Sequence, residues 1–276
     1  MNEAIVKVAL ISDVFYDNNP AQRLKDRLGE AKELGAGLAV LPEIPLNPWA
    51  PATKESRDDD AEAPGGERHV IQSEAARAVG IALIGGAIVK DPRTSRRYNT
   101  ALAFDHEGNL RGTHQKWHLP EEPGFWETSH YEPGVQELSV VEGLGIPIGI
   151  QICSDINRPQ GCHLLGAMGA QLIVAPRSCE SATYQKWRPV FQANAVTSCV
   201  YLVSANRPTP EQGVLIGGPS IAVAPNAEVI LESTDPVSVV VIDPAEVIKA
   251  RTAYPGYLSI RSDRYAKMWA EITSRN

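Results

Sequence analysis

Short apolar runs alternate with longer amphipathic stretches along most of the chain. The run "KVALIS" (7–12) predicts a strand. Over 19–36, Leu24, Leu28, Ala31 and Leu34 recur every three or four residues and Gly35 follows, so the spacing predicts a helix with a glycine stop. "GLAVLPE" (37–43) predicts a buried strand that ends in Pro42-Glu43. A second helix is expected over 67–80, stopped by Gly80, and a strand over 81–90. Residues 98–120 read as a hairpin turning at "DHEGN", where Gly108 and Asn109 supply the turn chemistry. From Val140 to Ile152 a strand is expected, with Ile146, Ile148, Ile150 and Ile152 alternating with Pro147, Gly149 and Gln151. Then follow a helix (159–170), a strand (171–176), a helix (186–199), a strand (200–206), a second hairpin around Asn226 (220–233) and a last strand (237–243). This mixture of strand–helix alternation and hairpins predicts an α/β fold with a mixed sheet and helices outside. No linker, repeat or low-complexity block interrupts it, so 1–276 reads as a single domain. The tail from about 250 to 276 is polar and aromatic by turns (Tyr254, Tyr257, Tyr265, Trp269) and is a candidate for contact with a neighbouring subunit.

Composition narrows the partners. The 276 residues are 43% hydrophobic, enough for a sizeable core, and 21% charged, which is not the make-up of a disordered chain. The net charge is −7 and no basic run is dense enough to follow a phosphate backbone, which argues against a nucleic-acid partner. The acidic stretch "ESRDDDAEAPGGER" (55–68) reads as a solvated loop. The first residues read as a strand and not as a signal peptide, and no run approaches the ~18 apolar residues of a membrane span. Four cysteines without a CxxC suggest neither a disulfide framework nor a zinc site, and a reducing, cytoplasmic setting is expected. Among six histidines, His114 and His118 flank Lys116 on a strand and loop, without metal-ligand spacing. No phosphate-binding glycine loop follows the first strand, so neither metal nor cofactor is expected.

Three reactive side chains stand just past the ends of separate apolar strands: Glu43 after "GLAVLP", Lys116 after "LRGTHQ" and Cys153 after "IPIGIQI". In open α/β sheets, ligands sit at that edge. A thiolate to attack a carbonyl, a carboxylate to take its proton and an ammonium to hold the oxyanion would suit covalent acyl transfer. Taken singly, each residue has a plainer reading: a packed thiol and two solvated charges.

The order of the motifs favours the chemical reading. "LPE" (41–43), "HQKWHLP" (114–120) and "ICSD" (152–155) resemble the three motifs of the nitrilase, or carbon–nitrogen hydrolase, superfamily. "APGGER" (63–68), "YNTALAFDHEGNLRG" (98–112), "EPG" (132–134), "ANAVTSCVYLVSANR" (193–207) and "GGPSIAVAPNAEVI" (217–230) resemble further segments of that family, so the similarity spans nearly the whole chain. The resemblance implies a four-layer αββα sandwich of two mixed β-sheets and a Glu–Lys–Cys triad. Glu43 would be the general base, Lys116 the oxyanion-stabilising cation and Cys153 the nucleophile. A second glutamate that positions the lysine falls best on Glu127, with Glu121 and Glu122 as exposed-looking alternatives. The backbone N–H of Ser154 would be the second oxyanion donor. Relatives are usually dimers or larger, so a homo-oligomer is implied.

Substrate class is less sharply marked. "KWHLPEEPGFWE" resembles the corresponding segment of N-carbamoylputrescine amidohydrolases, which points to amides or ureido groups. True nitrilases usually carry Trp-Glu after the cysteine, where this chain has Ser-Asp. Amidase members often carry an aromatic residue there and "FPE" further on; here stand Ser154, Arg158 and Gln160. Carbamoyl amino acid hydrolases carry arginines where this chain has Ile156 and Asn157. Arg177, at the end of "QLIVAP", is a candidate for meeting a substrate carboxylate or carbonyl, its plainer reading being a surface or interface ion pair; Arg158, before Pro159, reads as structural. The leading expectation is a cofactor-free thiol amidohydrolase. An N-carbamoyl amine hydrolase, a nitrilase and a catalytically silent binding protein are the alternatives.

Overall fold

The computed structural model describes residues 4–273. The chain begins with strand β1 (Val6–Ile11), helix α1 (Pro20–Glu33) and strand β2 (Leu38–Val40). A short β3 (Ala61–Glu62) precedes α2 (Glu67–Val79) and β4 (Ala82–Lys90). The hairpin β5 (Arg97–Phe104) and β6 (Leu110–Gln115) follows, then a small hairpin of β7 (Glu121–Glu122) and β8 (Phe125–Trp126). Next come β9 (Val140–Val141), β10 (Ile148–Ile150), α3 (Pro159–Ala167), β11 (Leu172–Val174), α4 (Tyr184–Ser198) and β12 (Tyr201–Ser204). The chain closes with β13 (Ser220–Val223), β14 (Val229–Ser233), β15 (Val237–Ile242), α5 (Pro244–Thr252) and α6 (Ser262–Thr273).

These strands make two mixed sheets, one ordered β15-β1-β2-β4-β5-β6 with β3 beside β4, the other β14-β13-β12-β11-β10-β9. Each has a parallel centre, β1-β2-β4 and β10-β11-β12, with antiparallel flanks. Alternation along the strands then decides the layers. Val8, Leu10, Val40 and Ile84 of the first sheet pack with Ile148, Ile150, Val174 and Val203 of the second in one shared core. On the first sheet's outer face, Ala9, Ile11 and Leu83 meet Leu24, Leu28 and Ala75 of α1 and α2. On the second sheet's outer face, Ile173, Leu202 and Ile221 meet Leu165 and Phe191 of α3 and α4. The result is the expected αββα sandwich, and it explains why these strands read as nearly continuous apolar runs: both faces are covered.

Three expectations change. The strand expected from Val140 to Ile152 is two strands, because Gly143 and Gly145 take φ of +87° and Val141 turns back to pair antiparallel with Ile148. The acidic stretch 55–68 is not a plain loop: Asp60 is buried, β3 adds to the sheet edge, and the Glu62 carboxylate accepts from the Arg68 and His69 backbone at the start of α2. Helix α5 leads into the tail and α6 lies within it. α5 begins where Asp243 accepts from Ala245 N and Pro244 occupies the first turn, a start signal visible in "DPAE". No described residue of α6 is buried, while Tyr265, Met268, Trp269 and Ile272 are exposed along it. The last three tail positions, 274–276, lie outside the described residues.

Candidate active site

β2 and β6 end at the same edge of the first sheet, because β4 runs parallel to β2 and two antiparallel steps through β5 restore that direction in β6; the turn after β10 in the second sheet meets this edge through Asp155, which accepts from the Trp117 and His118 backbone N–H groups. Glu43, Lys116 and Cys153 follow these ends, and all three are buried, as is Glu127 on the 3₁₀ turn Glu127–Ser129. Lys116 Nζ donates to Glu43 Oε1 at 2.7 Å and to the two Glu127 oxygens at 2.6 and 2.7 Å. Asn99, a polar residue inside the buried strand β5, donates from Nδ2 to the same Glu43 oxygen at 2.7 Å and accepts the Lys116 backbone N–H through its carbonyl. The other Glu43 oxygen, Oε2, has no hydrogen-bond partner among the described residues. Glu121 and Glu122, the alternatives to Glu127, are exposed on β7.

Cys153 opens a 3₁₀ turn (Cys153–Asn157) directly beyond β10. Its φ of +46° is left-handed, an arrangement a non-glycine residue adopts at a cost of roughly 1–3 kcal/mol and which projects the side chain from a sharp strand-to-turn corner. The Cys153 N–H donates to Pro176 O at 2.9 Å, and the thiol lies 3.7 Å from Ser178 O. Burial pushes the thiol well above its ordinary pKa, the Glu43 carboxylate adds to this, and Lys116 works against it. At neutral pH Cys153 is therefore a thiol, and a base would be needed to ionise it.

The charge balance of the cluster is fixed by its geometry. Burial alone would weaken the Lys116 ammonium, but the Glu127 and Glu43 carboxylates outweigh it and hold the group above its ordinary range. Two carboxylates facing one ammonium leave a negative charge in excess. Burial, with Glu43 adding and Lys116 opposing, pushes Glu127 up to about 8.

Two residues that carried no expected role hold the loops of this site. Asp155 is fully buried and accepts hydrogen bonds from both the cysteine turn and the lysine loop. Arg207 is fully buried: Nη1 meets both Glu211 oxygens at 2.9 Å, and Nη2 donates to Ile44 O at 3.1 Å and Asn47 O at 2.5 Å. It fastens the turn after Glu43, where Ile44 has φ of +40°. An arginine closing the strand-end segment "LVSANR" was the available signal.

The arginines singled out for substrate lie elsewhere. Arg177 has no exposed surface; Nε donates to Ser204 Oγ at 2.9 Å, Nη1 to Cys179 Sγ at 2.8 Å and Nη2 to Pro219 O. Its guanidinium carbon sits 5.6 and 5.3 Å from the Tyr184 and Phe191 ring centres. Every nitrogen is engaged within the protein and Arg177 pairs with no carboxylate among the described residues, so it shows neither the surface ion pair nor a nitrogen left open for a substrate. Arg158 is exposed at the junction of the cysteine turn and α3. Ser154 follows Cys153, its hydroxyl donating to His118 O.

Comparison with known proteins agrees with this picture. The family profile described as carbon–nitrogen hydrolase matches residues 15–252. An omega-amidase NIT2 from Danio rerio is 30% identical over 240 residues, 84% of each chain. A carbon–nitrogen hydrolase from Helicobacter pylori G27 superposes with a TM-score of 0.85 at 18% identity, covering 96% of this chain and 99% of that one. An amidase from Nesterenkonia sp. AN1, in its E41L mutant form with the acetamide moiety of fluoroacetamide added covalently at the active-site cysteine, superposes with a TM-score of 0.72 at 23% identity, covering 91% and 95%.

Proposed function

The chain belongs to the carbon–nitrogen hydrolase family, on the amidase branch of the nitrilase superfamily, and from that premise we propose that it hydrolyses a small linear amide through a Cys153 thioester, releasing ammonia. The observation that carries this reading is the Lys116 ammonium held between two carboxylates, one of which keeps an unengaged oxygen for the buried Cys153 thiol. Glu43 Oε2 takes the thiol proton as Sγ bonds to the amide carbonyl carbon. The oxygen that gains charge is stabilised by Lys116 Nζ and the Ser154 backbone N–H. The C–N bond then breaks, the Glu43 proton passes to the departing nitrogen, and ammonia leaves a thioester. Glu43 next takes a proton from water, whose oxygen attacks the thioester carbon; the C–S bond breaks and the proton returns to sulfur. Glu127 fixes Lys116 throughout.

The reacting groups are buried, with Cys153 4% and Glu43 and Lys116 each 1% exposed, which favours a slender substrate over a bulky one. The cysteine adduct in the Nesterenkonia amidase supports the covalent route. The test is ammonia release from short aliphatic amides, aromatic amides, dicarboxylic acid monoamides, carbamoyl amines, carbamoyl amino acids and nitriles, with Cys153→Ala as control. Turnover of the linear amides, lost in the variant, is the expected result. Turnover of carbamoyl amines alone, with carbon dioxide formed beside ammonia, would replace the amide reading with the ureido one. No release from any compound, with Cys153 inert to iodoacetamide, would end both. The protein acts as a homo-oligomer in this proposal, its exposed tail covered by a second copy.

A further inference from the structure

Asp155 lies two residues past the nucleophile and has no exposed surface. It accepts five hydrogen bonds. Oδ2 takes the Ile152 N–H at 3.1 Å, from the residue before Cys153, and His114 Nε2 at 2.9 Å, from the end of β6. Oδ1 takes the Trp117 N–H at 3.1 Å, the His118 N–H at 2.9 Å and His118 Nδ1 at 2.9 Å, all from the residues after Lys116. One side chain thus joins the turn that carries the thiol to the loop that carries the ammonium, across 37 to 41 positions of sequence. The same link is doubled by Ser154 donating to His118 O. No other contact is needed to see why the two reacting groups keep one geometry.

We infer that Asp155, with His114 and His118, is the positioning device that sets the Cys153 thiol against the Lys116 ammonium. This rests on the reading of those two residues as nucleophile and oxyanion cation. The chemistry of the acceptor fixes the donors. A carboxylate offers only lone pairs, so His114 must carry its proton on Nε2 and His118 on Nδ1. Hydrogen bonds to a buried charge are the strong kind, and the five together satisfy a group that would otherwise be costly to bury. Burial works to raise the Asp155 pKa, but the bonds from His114 and His118 outweigh it and keep the group ionised. An asparagine in its place would turn an amide N–H₂ towards two or three of those donors. The two loops would part there, although the rest of the site would be unchanged. Misplacement of about 1 Å between reacting groups costs on the order of a hundredfold in rate.

The test compares wild type with Asp155→Asn, His118→Leu and His118→Asn. The His118 side chain is 41% exposed, so its variants keep the fold even if Asp155→Asn does not. His118→Asn retains an N–H donor near the place of Nδ1; His118→Leu does not. Two readouts are taken: the rate at which iodoacetamide labels Cys153, followed by intact mass, and kcat and KM on the best amide of the panel. The expected result is a kcat lower by about tenfold in His118→Leu and about a hundredfold in Asp155→Asn, with KM within about threefold, slower labelling in both, and most of the loss restored in His118→Asn. Wild-type labelling and kcat in His118→Leu, or a His118→Asn no better than His118→Leu, would overturn the inference, since a role in folding alone would lower Tm and leave turnover per folded molecule untouched. A wild-type protein whose Cys153 is not labelled and which hydrolyses no amide would instead refute the catalytic reading beneath it, and the positioning role would fall with that reading.

Discussion

Lys116 Nζ lies 2.6 and 2.7 Å from the two oxygens of Glu127, with neither side chain reached by solvent. The same ammonium meets Glu43, so removing it leaves two buried acidic side chains without their cation. Breaking a buried ion pair from one side costs about 3–5 kcal/mol, whereas removing both partners costs much less. Lys116→Met is therefore expected to lower stability by about that amount, and Lys116→Met/Glu127→Leu to regain part of it. Neither variant should release ammonia, because both lack the cation proposed to hold the oxyanion. Urea unfolding beside the amide assay checks this. A double variant no more stable than the single one would mean that Glu127 does not share the charge of Lys116.

The same pair gives a pH dependence with a definite sign. Glu127 is pushed up to about 8 in the folded protein, by burial first, while an unfolded glutamate titrates near 4.3. A carboxyl with a raised folded pKa binds a proton on folding between the two values. Its contribution to stability is whole below about 4.3 and is lost as pH rises through about 8. Glu127→Gln has no such proton to lose. The stability of wild type relative to Glu127→Gln should fall between pH 5 and 9, by on the order of a few kcal/mol. Thermal unfolding of both proteins across that range tests it, and parallel curves would count against a proton held at Glu127.

Much of this was legible in the chain. The parallel centres of both sheets show as apolar runs because both faces are covered, and the strand ends at Glu43, Lys116 and Cys153 follow from the change to polar residues. The supporting residues were harder to see for a physical reason. Asp155 and Arg207 act through backbone groups of loops 37 to 163 positions away, and no local periodicity records such a bond. Asn99 sits in a strand whose pattern is otherwise apolar, and only its carboxylate partner explains it. Arg177 misleads in the opposite way: it follows a strand at the same edge, yet its guanidinium folds inward onto Ser204, Cys179 and Pro219. Sequence position gives the strand end and not the direction of the side chain.

Gly134, in the "EPG" segment, supports the lysine from the far side. Its N–H donates to Lys116 O at 2.8 Å, and a Cβ there would come 2.4 Å from Gln115 O, a backbone atom that cannot swing aside. Gly134→Ala is expected to shift the end of β6 and with it Lys116, at a cost of about 1–3 kcal/mol, the range for overpacking. Turnover should fall by more than stability alone explains, with KM little changed. Kinetics at a temperature where the variant stays folded separate the two effects, and an unaltered kcat would show that the ammonium tolerates movement of its strand.

The last prediction concerns the exposed tail. Tyr265, Met268, Trp269 and Ile272 are 62%, 59%, 51% and 45% exposed, and their spacing of three, four and seven residues puts them on one face of α6. A helix of 12 residues is marginal in water without a packing partner, and no described residue of this one is buried. Tyr254, Tyr257, Leu258 and Ile260, just before it, are exposed as well. Exposed apolar side chains thus recur along the whole tail, which makes it the place to look for a covering partner. With a second copy covering that face of α6, Met268→Glu/Trp269→Glu would place two charges in the contact, and sedimentation should show wild-type oligomers replaced by monomers at micromolar concentration. The Cys153 site lies at the strand ends and shares no residue with the tail, so a monomer that forms should still be labelled by iodoacetamide. A wild type that is already monomeric at that concentration would contradict the second copy, and a variant that stays oligomeric would move the contact away from α6.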